Sequence, residues 1–281
     1  MRWDLALFKR ILVVIDPARH LEPAMDFVIQ MVNRWNSSVV ALYTAFEEAA
    51  PFKSTYSGSV DPAKFVGKDA VKEFKKLLKK EVGPDVDFTT MIEEGPYEVI
   101  VPMVAAREDV DLVILGSFHD KMLRAIVGSD TERIIEYSPC SVLLVRNPSP
   151  LPKEGSVIVF AHDNTAISDQ FITTMAELSR DLKTSIQPVL GVPPKAIEKC
   201  KERGEWLVDT FANEGVISEP AQVLTSRWIL GPHGVVHRAV AGLMPSMVVL
   251  SRYTDVAASM ASHWLVHEFV KDTPSPMLIL K

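Results

Sequence analysis

Residues 111–117 read Asp-Leu-Val-Ile-Leu-Gly-Ser, and a similar stretch, Ser-Met-Val-Val-Leu-Ser-Arg, occupies 246–252. A second pair has the same separation of 135 positions: 138–145 reads Ser-Pro-Cys-Ser-Val-Leu-Leu-Val, and 273–280 reads Thr-Pro-Ser-Pro-Met-Leu-Ile-Leu. Two ungapped matches at one separation indicate a tandem duplication. The chain is therefore predicted to contain two copies of one domain.

Further matches follow the same order along both halves. Glu94-Gly95-Pro96 matches Leu230-Gly231-Pro232, and the opening run 11–16, Ile-Leu-Val-Val-Ile-Asp, matches 157–162, Val-Ile-Val-Phe-Ala-His. This second match puts His162 at the position of Asp16.

A Pro-rich polar segment, 147–155, separates the halves. Such a composition is typical of a short, stiff linker. We therefore predict a first domain over 1–148 and a second over 154–281.

Each half alternates strand-like and helix-like patterns. Continuous apolar runs predict strands buried on both faces, and apolar residues three and four apart predict amphipathic helices. This order predicts an α/β fold: two tandem doubly wound parallel five-stranded sheets, Rossmann-like, of order 3-2-1-4-5. In the first half the expected strands are 10–16, 39–46, 86–92, 111–116 and 141–146, and the expected helices are 21–35, 61–82, 96–107 and 129–137.

The composition indicates which partners and which cellular location to expect. The 281 residues are 47% hydrophobic and carry a net charge of −6, so a nucleic-acid partner is not expected. No apolar run reaches the roughly 18–20 residues that a membrane span needs. Two cysteines in the whole chain favour reduced thiols, and we expect a cytoplasmic protein without a membrane partner.

The first half resembles the universal stress protein family. The resemblance rests on the opening run 11–16, on Glu94-Gly95-Pro96, on 111–116, and on Gly128-Ser129 followed by the stretch 138–145. It implies a stress-response or regulatory protein, and in some members an adenine nucleotide, ATP or AMP, with Mg²⁺ as a possible companion.

The resemblance also implies the residues of a nucleotide site. ATP-binding members carry a Gly-x2-Gly-x9-Gly-Ser/Thr loop, to which Gly116 and Gly128-Ser129 correspond, with Asp130 following. His119 stands at the middle glycine, and eight residues rather than nine separate it from Gly128. Asp16 would face the ribose or adenine.

Each of these positions has a chemical reason and an ordinary alternative. Gly116 ends a strand and lets the backbone approach a phosphate closely. Gly128 and Ser129 are expected at the start of helix 129–137, where free N–H groups favour an anion. Gly128-Ser129 is equally typical of a plain helix cap, and Asp16 of a turn.

The second half lacks this loop. Ser251 replaces Gly116, Thr254 matches His119, and His263-Trp264 replace Gly128-Ser129. We expect this copy to serve packing, partner contact or a different ligand.

Five histidines fall in the second half, two pairs of them four residues apart. Such pairs face one way on a helix and can chelate a transition metal. The alternative is surface or capping histidines on separate helices. The metal candidates are His162, His233, His237, His263 and His267.

A Lys-rich face on helix 61–82 is expected to be solvated and balanced by Glu73 and Glu81. Its members are Lys72, Lys75, Lys76, Lys79 and Lys80.

Three hypotheses remain open. The first is a non-catalytic regulator that binds ATP or AMP in the first domain, with at most slow, incidental hydrolysis. By resemblance its domains would pair as an intramolecular pseudo-dimer through 141–146 and 276–280, with a possible homodimer and an unknown protein partner. The second is an interaction module without nucleotide. The third, an adenylyl-transferase-type enzyme, needs a His-x-Gly-His loop that 16–20 lacks.

Overall fold

The computed structural model describes residues 7–15, 22–45, 62–116, 124–145, 150–162, 166–225, 231–251, 265–270 and 273–281. The chain divides into two compact units, Met1–Ser149 and Pro150–Lys281. The division lies inside the Pro-rich segment 147–155.

Unit 1 is a five-stranded parallel sheet with helices packed on it. Its strand order is β3-β2-β1-β4-β5, the 3-2-1-4-5 order predicted from the sequence. The elements are β1 (Arg10–Ile15), α1 (Glu22–Trp35), β2 (Ser38–Ala45), α2 (Pro62–Glu81), β3 (Phe88–Glu94), α3 (Tyr97–Arg107), β4 (Leu112–Gly116), α4 (Arg124–Tyr137) and β5 (Ser141–Val145).

Unit 2 repeats this plan with the order β8-β7-β6-β9-β10. The predicted fold class, two tandem doubly wound Rossmann-like sheets, is confirmed. The elements are β6 (Val157–His162), α5 (Asp169–Leu182), β7 (Ser185–Val192), a 3₁₀ turn (Pro194–Ala196), α6 (Ile197–Asn213), β8 (Gln222–Thr225), α7 (Gly231–Leu243), β9 (Met247–Ser251), α8 (265–270) and β10 (Met277–Leu280).

The core of each unit lies on both faces of its central strands. β4 and β9 are buried along their length except at their last residues. Strands covered on both sides need apolar side chains at every position, which explains the continuous Val, Ile and Leu runs.

The Glu94-Gly95-Pro96 motif marks a sharp turn between β3 and α3. Gly95 has φ +141°, and a Cβ atom there would lie 3.1 Å from the Ile100 side chain. Only glycine adopts this backbone conformation readily. The fixed φ of Pro96 then leads directly into α3, whose N-cap it is.

The first β-α-β segment has the same length in both units. β1 and β6 have six residues each, α1 and α5 fourteen, and β2 and β7 eight. The left-handed residues that follow the helices are also equivalent: Asn36 has φ +53° and Lys183 has φ +55°. The two segments therefore correspond residue for residue at a separation of 147 positions.

Hydrogen bonds at the strand starts give the same correspondence. The Asp111 amide donates to the Arg10 carbonyl at 2.9 Å, and the Ser246 amide donates to the Val157 carbonyl at 3.1 Å. Because Asp111 and Ser246 are equivalent, Arg10 is the counterpart of Val157.

This register corrects the sequence alignment by one residue. His162 is the counterpart of Ile15, and the residue at the Asp16 position is Asp163. The predicted match of Asp16 with His162 is wrong. A continuously apolar run carries no alternation that would fix its register, so the two strands could be slid past each other without a visible mismatch.

Candidate functional site

The strand order of unit 1 changes direction between β1 and β4. The chain runs outward from β1 through β2 to β3, then crosses to β4 and continues to β5. β1 and β4 are parallel, with Val14 opposite Leu115, so both strands end at one edge. Doubly wound sheets bind ligands in the crevice that opens at such a point. The carboxyl ends of β1 and β4 are therefore the candidate site.

Gly116 lies at this edge as the last residue of β4. It is opposite Val145 of β5 and is only partly buried, while the other four residues of its strand are buried. A glycine at this position has no side chain to keep a ligand from the backbone. Asp16, which follows β1 in the sequence, and His119 lie outside the described residues, so their roles stay predictions.

Gly128, Ser129 and Asp130 lie inside α4 rather than at its start. The helix begins at Arg124, not at residue 129 as predicted. Arginine and alanine have high helix propensity, and one glycine in a helix costs only about 1 kcal/mol relative to alanine. The helix therefore continues through Gly128.

This longer helix changes the chemistry expected at Gly128-Ser129. N–H groups in the second turn of a helix bond to carbonyls one turn earlier, so they are not free to bind an anion. The expectation that Gly128 and Ser129 supply helix-terminal donors is wrong. Any other part that they and Asp130 have in nucleotide binding stays a prediction.

Thr44 is a polar residue of this edge that the sequence analysis missed. It is the next-to-last residue of β2, is 2% exposed, and its Oγ1 finds no hydrogen-bond partner among the described residues. The preceding Tyr43 is opposite Ile15, the last residue of β1. Leaving a buried hydroxyl unpaired costs about 1–3 kcal/mol, which a bound polar group would offset. The signal available in the sequence was a single hydroxyl residue in an apolar run.

The first strand of unit 2 takes part in a cluster of aromatic rings. His162, at the end of β6, is 1% exposed and stacks on Phe160 with 5.1 Å between ring centroids. Phe160 also lies 4.8 Å from Phe171 and 6.4 Å from Phe211. His162 is therefore part of the hydrophobic core rather than an exposed ligand of this edge.

Ser251 ends β9 as Gly116 ends β4, in agreement with the predicted correspondence. Its hydroxymethyl group stands where unit 1 has no side chain. Thr254, His263 and Trp264 lie outside the described residues.

The described histidines do not form a metal site. His237 packs edge to face against Phe269, with 5.1 Å between centroids. Across the described ranges, no three His, Cys, Asp or Glu side chains come together as metal ligands would. His233 is in the first turn of α7, and His263 lies outside the described part. The metal hypothesis stays a prediction. The histidines with described side chains are His162, His237 and His267.

Two further expectations concern the whole chain. Cys140 and Cys200 are both buried thiols. Within the described ranges, no helix combines the length and the apolar character that crossing a membrane requires.

These features define a class: an α/β protein of two tandem doubly wound parallel sheets, the first with a glycine at its switch point. Among solved structures, a universal stress protein from Archaeoglobus fulgidus DSM 4304 has a TM-score of 0.72, with 10% identity, covering 98% of this chain and 96% of its own. A protein of unknown function from Pseudomonas aeruginosa PAO1 has a TM-score of 0.68, with 17% identity, covering 98% and 93%. These likenesses are likenesses of fold.

The sequence comparisons concern the first half. Residues 7–146 match the model of the Universal stress protein family. A universal stress protein from Methanothermobacter thermautotrophicus is 24% identical over 50% of this chain and 97% of its own length. Another, from Methanocaldococcus jannaschii, is 28% identical over 50% and 84%. The chain belongs to the universal stress protein family through this half.

Proposed function

We propose that unit 1 binds an adenine nucleotide, ATP or AMP, at the carboxyl ends of β1 and β4, and that the chain acts as a regulatory protein rather than an enzyme. The observation that carries the proposal is the switch point: β1, followed by Asp16, and β4, ending in Gly116, stop side by side at one edge. Family membership supports it, because nucleotide-binding members are similar at these two positions.

The proposed roles follow from the chemistry of each residue. The backbone of Gly116 would approach the phosphates, the Asp16 carboxylate would accept hydrogen bonds from sugar or base, and Thr44 offers a buried hydroxyl. Mg²⁺ would accompany a polyphosphate and neutralise its charge. In this proposal any hydrolysis of the nucleotide is slow and incidental. A cytoplasmic setting, a homodimer and the pairing of the two domains stay parts of the proposal.

A second candidate is an interaction module that binds no nucleotide. Its support is the early start of α4, which takes Gly128 and Ser129 out of the helix terminus. Seven residues, 117–123, separate the end of β4 from the start of α4 in the sequence.

The two cysteines allow a test that reads each unit separately. Cys140 belongs to unit 1 and Cys200 to unit 2, and both are buried, so each becomes reactive when its own surroundings open. Pulse labelling with a thiol reagent and mass spectrometry would be followed with ATP and Mg²⁺, with ATP alone, with AMP, and without nucleotide. Nucleotide at about 100 times its Kd should slow the labelling of Cys140 about 100-fold and leave Cys200 unchanged.

Matched variants in the two units complete the test. Gly116→Val should abolish the protection of Cys140, whereas Ser251→Val, at the equivalent place in unit 2, should leave it intact. Failure of millimolar nucleotide to protect Cys140 would select the nucleotide-free module. Protection of Cys200 alone would move the site to unit 2 and contradict the proposal.

A further inference from the structure

α2 and α6 are equivalent helices with the same spacing of buried residues. Each joins the second strand of its unit to the third and packs on both. This spacing aligns residue 71 of α2 with residue 204 of α6. The residues that follow in α2 align in the same order, without a gap, with those that follow in α6. The aligned buried residues are Val71, Phe74 and Leu78 in α2 and Gly204, Leu207 and Phe211 in α6.

The exposed side of α2 carries a row of lysines. Lys72, Lys76 and Lys79 are exposed and form no ion pair within the described part of the chain. Successive members lie one turn apart along one side of the helix, with their Cβ atoms roughly 6 Å apart. The predicted balance by acidic residues is seen for Lys80, which pairs with Glu81 at 2.9 Å. We call Lys72, Lys76 and Lys79 the basic stripe.

The same side of α6 is acidic. Glu202, Glu205 and Asp209 are exposed and form no ion pair among the described residues, and we call them the acidic stripe. The alignment of the two helices places Glu205 at the position of Lys72 and Asp209 at the position of Lys76. The duplicated helix has therefore reversed the sign of its surface charge at equivalent positions.

An exposed tryptophan borders the acidic stripe. Trp206 is 42% exposed, with the Arg203 guanidinium 4.2 Å from its ring centroid. It is one turn from both Glu202 and Asp209. Large aromatic side chains left on a surface are typical anchors of protein interfaces.

We propose that the basic stripe of α2 docks against the acidic stripe of α6 of a second copy of this chain. The two surfaces have the same helical geometry and opposite charge, so they are complementary when the helices lie alongside each other. The contact joins two different surfaces, and it therefore builds a closed ring or an open filament rather than a two-fold dimer.

A second copy fits the basic stripe better than an unrelated polyanion does. The chain has a net charge of −6, which repels a polyanion and a second copy alike, but only the second copy presents its acidic residues on a helix equivalent to α2. Complementary stripes attract locally, and the attraction weakens as salt screens it. Association should therefore be salt-sensitive.

Sedimentation velocity of the purified full chain tests the proposal. The weight-average sedimentation coefficient should rise with protein concentration at about 0.01 M salt, where the Debye length is about 30 Å, and rise less at about 0.15 M, where it is about 8 Å. The acidic-α2 variant combines Lys72→Glu, Lys76→Glu and Lys79→Glu. The basic-α6 variant combines Glu202→Lys, Glu205→Lys and Asp209→Lys. Each alone should weaken association at least about tenfold.

Mixing the two variants separates the proposed contact from a general effect of charge. The acidic α2 of one variant then meets the basic α6 of the other, so an equimolar mixture should recover the association that each variant lost. A control variant with Lys153→Glu, Lys195→Glu and Arg238→Glu has the same change in net charge as the acidic-α2 variant and should associate like the unmodified chain.

Three results would overturn the proposal. They are a sedimentation coefficient of the unmodified chain that does not depend on concentration at low salt, variants that associate as strongly as the unmodified chain, and a mixture that stays dissociated. Circular dichroism melts of each variant would establish that it folds. The outcome does not depend on nucleotide, so it is independent of the proposed function.

Discussion

The amino ends of the first and fourth strands are joined by different hydrogen bonds in the two units. In unit 1 the Asp111 carboxylate accepts hydrogen bonds from the amides of Lys9 and Arg10, at 2.7 and 2.9 Å. In unit 2 the Ser246 hydroxyl donates to the Val157 carbonyl at 2.8 Å. Both arrangements fasten the start of the first strand to the start of the fourth.

The surroundings of the first strand differ more. At the register of the described segments, Val13 and Ala24 of unit 1 correspond to Phe160 and Phe171 of unit 2. Two small side chains of unit 1 thus correspond to two rings in unit 2, and His162 stacks on the first of them. Duplication kept the backbone plan and the closure at the amino end, whereas side-chain size beside the first strand was free to change.

The largest expected effect tests whether these rings hold unit 2 together. Phe160→Ala removes a side chain that is 0% exposed, and a truncation of this kind costs about 3–5 kcal/mol. Urea unfolding, read by the labelling of Cys200, should show this loss. Val13→Ala is the matched change in unit 1 and should cost less, because it removes fewer buried atoms. Equal losses of unfolding free energy in the two units would show that the ring of Phe160 stabilises unit 2 no more than Val13 stabilises unit 1.

A smaller effect is expected where α6 approaches β8. A Cβ atom on Gly204 would lie 2.8 Å from the Ala221 Cβ, so Gly204→Ala should destabilise unit 2 by about 1–3 kcal/mol in urea unfolding. The equivalent residue in α2 is Val71, so unit 1 accommodates a full side chain there.

Gly242→Ala is the control for this change. Among the described residues, no atom outside its own stretch of helix lies within 4 Å of the added Cβ, and alanine restricts the unfolded chain, so a gain of about 0.4–1 kcal/mol is expected. If Gly204→Ala were neutral or stabilising, α6 could shift without loss of stability. The close contact between residue 204 and Ala221 would then not limit the stability of unit 2.

The hydrogen bonds that join the amino ends of the first and fourth strands should contribute less to stability than the features above. Asp111→Ala removes the acceptor of two amides at an exposed position, and we expect a loss of about 1 kcal/mol. Ser246→Ala in unit 2 should lose a similar amount or less, because a neutral hydrogen bond is weaker than one to a carboxylate. Chemical denaturation of both variants measures the difference, and a larger loss for Ser246→Ala would reverse the ranking.

The smallest effect is a pH dependence of unit 2. Burial raises the pKa of the Cys200 thiol, because the thiolate is disfavoured in an apolar surrounding. Its pKa is therefore higher in the folded state than in the unfolded state. The resulting stability is present below the unfolded pKa and is lost as the pH rises above it.

Urea unfolding of unit 2 at increasing alkaline pH would reveal this loss as a small fall in midpoint. Cys200→Ala should flatten that part of the profile. An unchanged slope in the variant would assign the pH dependence to other groups.

Much of the fold could be predicted from the sequence, and the wrong predictions have physical causes. Apolar runs and the repeat at 135 positions predicted both sheets and their order. The start of α4 was missed because Gly128-Ser129 has the composition of a helix cap, yet Arg124 and Ala125 favour helix before it. The counterpart of Asp16 was misplaced because an apolar strand has no period that marks its register.

The site was predicted less completely than the fold. Gly116 was placed at the switch point because it ends a strand whose position in the order was already clear. Thr44 was missed because its significance lies in burial without a partner among the described residues, and a sequence does not show burial at a strand end.

The sequence by itself determined the duplication, the parallel α/β class, the strand order and the family, because apolar periodicity and turn residues act locally along the chain. Tertiary structure alone decided which residues are equivalent in the two units, that His162 belongs to a hydrophobic core, and that two equivalent helices present opposite charges. These properties depend on register and burial, which arise only when distant segments pack against one another.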